Sequence, residues 1–210
     1  MQHYNYLIIG GGMTADAATK GIRETDAGGS IAIISKEEHP PYNRPPLSKS
    51  LWKGDPEDSI WRKTNDKSVT LVLSHTATAI NAREKTITDD KGNTYSYDKL
   101  LLATGGVINR LPFETEGIIY FRTVDDYAKL RALAVKSNEV LVIGGGFIGS
   151  EIAAAMAMNG KKVTMIFPEA AIGARVYPSA LASFLNSYYE SKGVTVLTND
   201  GVVSIRSGSI

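Results

Sequence analysis

One pattern occurs twice in this chain. Tyr6-Leu7-Ile8-Ile9 runs into Gly10-Gly11-Gly12, and Val140-Leu141-Val142-Ile143 runs into Gly144-Gly145-Gly146, 134 positions later. Each apolar run is short and unbroken, as expected of a parallel strand buried on both faces. Each glycine cluster opens an Ala-rich stretch of good helix propensity, residues 14–23 and 150–158. A glycine follows near each helix end (Gly21, Gly160), then a second apolar run at 31–34 and 163–167. Two strand–glycine loop–helix–strand units in one chain predict an α/β fold of two Rossmann-like dinucleotide-binding units.

The glycines have separable jobs. In Gly144-x-Gly146-x-x-Gly149 the first makes the tight turn, the second lets backbone approach a pyrophosphate, and the third lets helix and strand pack closely. The N-terminus of the helix that follows then offers unpaired N–H groups to phosphate, with Phe147 and Ile148 in the loop leading to it. Glu169, 25 positions after Gly144, is placed to accept hydrogen bonds from both hydroxyls of an adenosine ribose. It would repel a 2′-phosphate, which favours NAD(H) over NADP(H), whereas nearby Arg175 opposes that preference. The first unit reads Gly10-x-Gly12-x-x-Ala15, with Glu37 at 27 positions from Gly10 and Lys36 just before it. Taken alone, either glycine pattern needs no more than a strand-to-helix turn. Two dinucleotide sites together point to hydride transfer from a nicotinamide to a flavin.

Between the two units the texture changes. Residues 37–66 hold Pro40, Pro41, Pro45, Pro46 and Pro56 and cannot be a regular strand. Runs at 69–73, 77–81, 85–88 and 94–97 predict a small antiparallel β excursion, with a turn at Asp90-Lys91-Gly92-Asn93. Residues 100–103 return as a buried strand ending at Thr104-Gly105-Gly106. Thr123 and Asp126 mark a capped helix start. Pro178 opens a last helix whose predicted buried face is Leu181, Phe184, Leu185 and Tyr188, and strands are predicted at 194–197 and 202–205. The domains divide at 1–123 and 124–210.

Composition removes several function classes. Lys plus Arg is 23 against 22 for Asp plus Glu, a net charge of +1 that provides no basic stripe for nucleic acid and no polybasic patch for a membrane. The absence of cysteine excludes a redox dithiol, a Cys nucleophile and a thiolate metal site in these 210 residues. His3, His39 and His75 are scattered, and no metal site is expected. A strand-like run begins almost at Met1 with no leader ahead of it, which points to a cytoplasmic protein.

The segment Pro41-Tyr42-Asn43-Arg44-Pro45-Pro46-Leu47-Ser48-Lys49 resembles the flavin-dependent pyridine nucleotide-disulfide oxidoreductases, nearest to the apoptosis-inducing factor and ferredoxin (rubredoxin, putidaredoxin) reductase groups. Residues 10–14, Leu102-Ala103-Thr104-Gly105-Gly106, Phe121-Arg122-Thr123, Ile143 through Glu151, and Phe167-Pro168-Glu169 agree in order and spacing. The resemblance implies Gly10, Gly11, Gly12, Met13 and Thr14 around an FAD pyrophosphate. It implies Glu37 on the adenosine ribose, with Lys36 where relatives usually carry an acid, and Ala77 at the adenine through its backbone. Arg44 and Arg122 would touch FAD, and Thr104 and Gly105 would close over it. Lys49 and Glu151 would pair beside the flavin, with Phe147 against its ring. Tyr95, Tyr97, Tyr188 and Tyr189 are expected in packing, and Trp52 and Trp61 as anchors of the Pro-rich loop.

The same resemblance implies a longer protein, since the family's Gly-Asp flavin contact and C-terminal interface domain are not found here. The chain reads as an N-terminal half, and an incomplete sheet would leave an edge open for self-association or a missing partner polypeptide. The expected activity is an FAD-dependent NADH oxidoreductase passing electrons to a redox protein or a quinone-like acceptor. A non-catalytic, redox-sensing FAD/NAD-binding module is the alternative, and nucleic-acid binding is disfavoured by the charge balance.

Overall fold

The computed structural model describes residues 1–112 and 117–205. The chain forms two compact units, Met1–Asn43 with Asp58–Val107, and Arg44–Glu57 with the chain from Ile108 onward.

The first unit is a six-stranded sheet of order β3-β2-β1-β6-β5-β4. Its strands are β1 (Gln2–Ile9), β2 (Ile31–Ser35), β3 (Val69–Leu73), β4 (Ala77–Asn81), β5 (Thr86–Asp89) and β6 (Thr94–Leu102), with helix α1 (Met13–Thr25) after β1. Alternation along β1 and β2 feeds two cores. Ile8, Ile31 and Ile33 pack with Ala15 of α1, while Leu7, Ile9, Ala32 and Ile34 pack with Ile87, Tyr95 and Tyr97 on the other face. Burial on both sides is what the unbroken apolar runs require.

Two readings of the β excursion change. Residues 69–73 do not belong to it, because β3 pairs parallel with β2 from Ile31↔Val69 to Ser35↔Leu73. Residues 94–97 and 100–103 are one strand: β6 pairs parallel with β1 from Gln2↔Tyr95 to Ile9↔Leu102, and its first residues pair antiparallel with β5. A single nine-residue strand thus joins the parallel sheet to the antiparallel β4–β5 hairpin.

The second unit holds a parallel sheet of order β7-β8-β9, formed by Glu139–Ile143, Lys162–Ile166 and Val194–Leu197. Helices α2 (Val124–Lys136), α3 (Phe147–Met158) and α4 (Ser179–Ser191) accompany it. Thr123 caps α2 with a reciprocal box, its side chain accepting from the Asp126 N–H and the Asp126 carboxylate accepting from the Thr123 N–H. The Pro-rich segment contributes one-turn 3-10 helices at Pro45–Ser48 and Ser50–Lys53. Trp52 anchors it: the indole is buried, donates Nε1–H to Leu47 O at 2.8 Å, and meets the Tyr127 ring edge-on at 5.3 Å. In the first unit Trp61 meets the Tyr42 ring edge-on at 5.7 Å.

Two further expectations are corrected here. Of the predicted face, Leu181, Phe184 and Tyr188 of α4 are exposed and Leu185 is half-buried, while the face turned inward carries buried Ala182. Polar anchors set that rotation: Asn186 accepts from the Ile172 N–H and donates to Ala170 O, and the Tyr189 hydroxyl donates to Ser150 O. Residues 202–205 form no strand. The chain leaves β9 through Asn199, at φ 54°, with Asp200 N–H donating to Phe167 O at 3.2 Å. No helix among the described residues is long and apolar enough to cross a membrane.

Candidate functional site

Both glycine loops sit at carboxyl ends of parallel strands, where α/β sheets collect ligands. In the first unit Gly10 has φ 111°, and a Cβ there would lie 2.2 Å from Ala103 O. A Cβ on Gly11 would meet the Ser35 side chain, whereas one on Gly12 would meet nothing within 4 Å. Gly12 is also the N-cap of α1 and offers no side-chain cap, so Met13 and Thr14 begin the helix at an open cradle. The missing side chain lets a phosphate approach the backbone there, and the first-turn amides of α1 would complement its charge.

The other first-unit candidates gather near the same strand ends. Glu37 follows β2, and its carboxylate accepts from the Tyr42 hydroxyl at 2.6 Å. His75 N–H donates to Ser35 O at 2.9 Å, which brings Ala77, the first residue of β4, to the end of β2. Thr104 and Gly105 are exposed just beyond β6, with the Thr104 Cα 3.1 Å from where a Gly10 Cβ would stand.

Sequence reasoning missed a buried cluster on α1. The Asp16 carboxylate accepts from Arg62 Nε at 2.7 Å, from Thr64 Oγ1 at 2.6 Å and from the Lys67 ammonium. Burial pushes this carboxyl up, yet hydrogen bonds from Lys67, Thr64 and Arg62 outweigh it and hold the pKa below the ordinary aspartate value. The signal was an acid in the first turn of a helix, which reads equally as dipole compensation.

In the second unit the pattern repeats. Gly146 caps α3 without a side chain, and a Cβ on it would meet nothing within 4 Å. Gly149 is different, since its Cβ would stand 2.1 Å from Gly144 O. Phe147 is half exposed and meets the Tyr177 ring edge-on at 5.9 Å. Gly146, Phe147 and Tyr177, with Glu151, Gly173 and Tyr189, line a cavity of about 170 Å³. Glu169 lies three residues past β8 and is ion-paired with Arg175.

Lys49 and Glu151 come together in this unit, with Nζ 2.8 Å from Oε1. Glu151 is engaged at both oxygens, because the buried Ser48 donates Oγ–H to Oε2 at 2.6 Å. Ser48 was not among the expected site residues, although it stands beside Lys49 in the segment that carries the resemblance. Arg44 donates from Nη1 to Arg122 O at 2.9 Å, and the Arg122 N–H is held by Asp126 Oδ2 at 3.0 Å. The result is one lysine ammonium, half in solvent, fixed against a carboxylate whose orientation a serine locks.

Known proteins agree with this architecture. The chain is 34% identical to the cytosolic monodehydroascorbate reductase 4 of Oryza sativa subsp. japonica over 93% of its own length and 51% of that protein's. It is similar in structure to putidaredoxin reductase, solved in covalent complex with putidaredoxin (TM-score 0.86, 26% identity, 98% of this chain and 52% of that one). A ferredoxin reductase from Rhodopseudomonas palustris matches with TM-score 0.87 and 27% identity, over 97% of this chain and 53% of that one. The chain thus spans about half the length of the proteins it matches. The pattern of the pyridine nucleotide-disulphide oxidoreductases fits residues 4–210, from the first strand through both glycine loops, and the chain belongs to that family.

Proposed function

We propose that this chain is the nucleotide-binding half of an FAD-dependent NADH oxidoreductase that passes electrons to a redox protein or a quinone-like acceptor. FAD is assigned to residues 1–123 and NAD(H) to residues 124–210. The observation that carries the reading is the pair of glycine cradles, each opening onto an uncapped helix and each followed by a carboxylate. Met13, Thr14, Glu37, Ala77, Thr104, Gly105, Arg44 and Arg122 would complete the FAD contacts. Gly144, Gly146, Ile148, Gly149 and Glu169 would hold NADH.

A bound flavin supplies an acceptor for two electrons that can be handed on singly. The chain's own part is electrostatic. The Lys49 ammonium provides a fixed positive charge against the negative charge that reduction brings, and Glu151, held by Ser48, keeps it from wandering. Phe147 presents an aromatic face at the helix opening where the nicotinamide would enter. With no cysteine in these 210 residues, none of them relays electrons through a disulfide. Putidaredoxin, which the matched reductase engages, is the kind of acceptor protein that fits.

The test is an anaerobic visible spectrum of the purified chain with FAD, before and after one equivalent of NADH. Retained flavin that bleaches is the expected result, and Lys49→Met slows the bleaching by about tenfold or more. Retained flavin that does not bleach would overturn the oxidoreductase reading in favour of a redox-sensing binding module. Failure to retain flavin would remove the assignment of residues 1–123.

A further inference from the structure

We propose that the buried cluster on α1 is an electrostatic part of the first unit's phosphate site, in which the surplus positive charge of Lys67 tightens the hold of the glycine cradle on the FAD pyrophosphate. This rests on the assignment of FAD to that unit and adds a residue that the glycine pattern does not contain. Asp16 poses the problem. Its N–H donates to Gly12 O at 3.3 Å, so it stands one helical turn, about 5.4 Å, in from the open cradle. An acid in the first turn suits a bare helix end, but it repels the two charges of a pyrophosphate held there.

The Arg62 guanidinium, with Nε at 2.7 Å, already balances the charge of the carboxylate, and Thr64 Oγ1 donates to it at 2.6 Å. The Lys67 ammonium is bonded to it as well, and two cations on one carboxylate leave the cluster at +1. The segment that brings Lys67 is held under strain. Thr64–Lys67 is a one-turn 3-10 helix bracketed by Lys63 and Ser68, both non-glycine residues at φ 53°. Such backbone is costly for any side chain and persists only where its surroundings impose it. Helix α1 imposes it from both ends. Arg23, in the last turn, donates from Nε to Lys67 O at 3.0 Å and from Nη2 to Ser68 O at 2.9 Å, while Asp16 holds the side chains from the first turn. Arg62, Thr64 and Arg23 are enough to strap this segment to the helix, so a charge at Lys67 is more than the strap requires. Its effect falls on the cradle, where a cation on the order of 10 Å away offsets the repulsion from Asp16.

Fluorescence titration of the 210-residue chain with FAD tests this at about 0.01 M and about 1 M salt, where the screening length is about 30 Å and about 3 Å. Lys67→Gln keeps a hydrogen bond to Asp16 and removes the charge. It should weaken FAD binding about fivefold or more at low salt, with the gap closing at high salt because Lys67 is 24% exposed and ions reach it. Lys67→Arg should restore the affinity, and Lys91→Gln, which removes an equal charge from the exposed turn between β5 and β6, should leave it in place. Equal affinities of the Lys67→Gln and unmodified chains at low salt overturn the proposal, as does a gap that high salt leaves open or an equal loss in Lys91→Gln. A Lys67→Gln chain that circular dichroism shows unfolded overturns it too, because the ammonium then serves the fold. Each of these results leaves the FAD assignment standing, whereas an unmodified chain that binds no FAD overturns both.

Discussion

Gly10 and Gly144 hold the same place in the same motif with nearly the same backbone, φ 111° and 116°, yet they meet different surroundings. A Cβ on Gly10 would collide with the backbone of Ala103, while one on Gly144 would meet nothing within 4 Å. The cause is the sheet. β1 is flanked by β2 and β6, whereas β7 is an edge strand with β8 as its partner, and Leu141 and Ile143 are 52% and 38% exposed. The third motif position reverses the contrast: Ala15 is fully buried without conflict, and Gly149 leaves no room for a methyl. One motif is therefore demanded by different contacts in each unit.

The largest expected effect follows directly. Gly144→Ala costs of order 1–3 kcal/mol, the strain of a non-glycine residue at that φ. Gly10→Ala adds a backbone collision with Ala103 to the same strain and loses more, enough to unfold the first unit at 37 °C. Calorimetric unfolding of the two variants reads this, and equal losses would break the comparison.

The next effect concerns position 16 and its counterpart 134 residues on, Ser150. Asp16→Asn leaves Arg62 and Lys67, each about a quarter exposed, without their shared anion. The expected loss is about 2–3 kcal/mol, below that for breaking a fully buried pair because water reaches both cations. Ser150→Ala removes a local hydrogen bond to Phe147 O and costs less than about 1 kcal/mol. Urea unfolding with tryptophan fluorescence measures both. In the second unit the acid stands one residue later, at Glu151, and faces Lys49 instead of a structural cluster.

Fold legibility followed the same lines. The paired glycine loops, their strands and helices, and the Thr123 cap were readable because each is local and periodic. The parallel pairing of β3 was not, since an apolar run such as 69–73 carries no mark of its partner's direction. Nor was the rotation of α4, where Leu181, Phe184 and Tyr188 make a convincing apolar stripe, yet the hydrogen bonds of Asn186 and Tyr189 turn Ala182 inward instead and leave Leu185 alone of the predicted face half-buried. At the site, Lys49 with Glu151 was readable by resemblance. Ser48 was not, because a hydroxyl beside a lysine signals nothing until the carboxylate is placed in space.

A buried network distinguishes the first unit on the pH axis. Asp89 accepts from the Tyr95 hydroxyl at 3.0 Å and from Asn93 Nδ2 at 3.0 Å, and lies 2.5 Å from His75 Nδ1. Burial pushes the Asp89 carboxyl up, but these bonds outweigh it and hold its pKa well below 3.8. Burial and the bond to Asp89 push the Tyr95 hydroxyl up to about 12. The depressed acid stabilises the fold above pH 3.8, a contribution lost as pH falls through the folded value. The raised phenol stabilises it below pH 10, a contribution lost as pH rises towards about 12. Unfolding midpoints across pH should therefore flatten on the acid limb in Asp89→Asn and on the alkaline limb in Tyr95→Phe. Unchanged slopes in both variants would show that the network is not what the pH dependence reports.

The smallest stability effect is the most informative about function. Helix α2 opens with a full capping box, and Thr123→Ala should cost about 1 kcal/mol. Helices α1 and α3 open with Gly12 and Gly146, which cap nothing with a side chain. At φ −89° and −79° neither is in a region reserved for glycine, and a methyl at either would touch nothing within 4 Å. The fold has no use for glycine there, so Gly146→Ala should change stability by less than about 0.5 kcal/mol, or raise it slightly through the unfolded chain. Its methyl would stand in the cradle instead, and NADH affinity should fall by about tenfold or more as backbone and pyrophosphate are held apart. Thermal unfolding and nucleotide titration on the same variant separate the two. A glycine that the fold can lose without cost but the nucleotide cannot is a residue kept for binding, whereas a Gly146→Ala chain that still binds NADH as before would mean that the open cradle is not where phosphate sits.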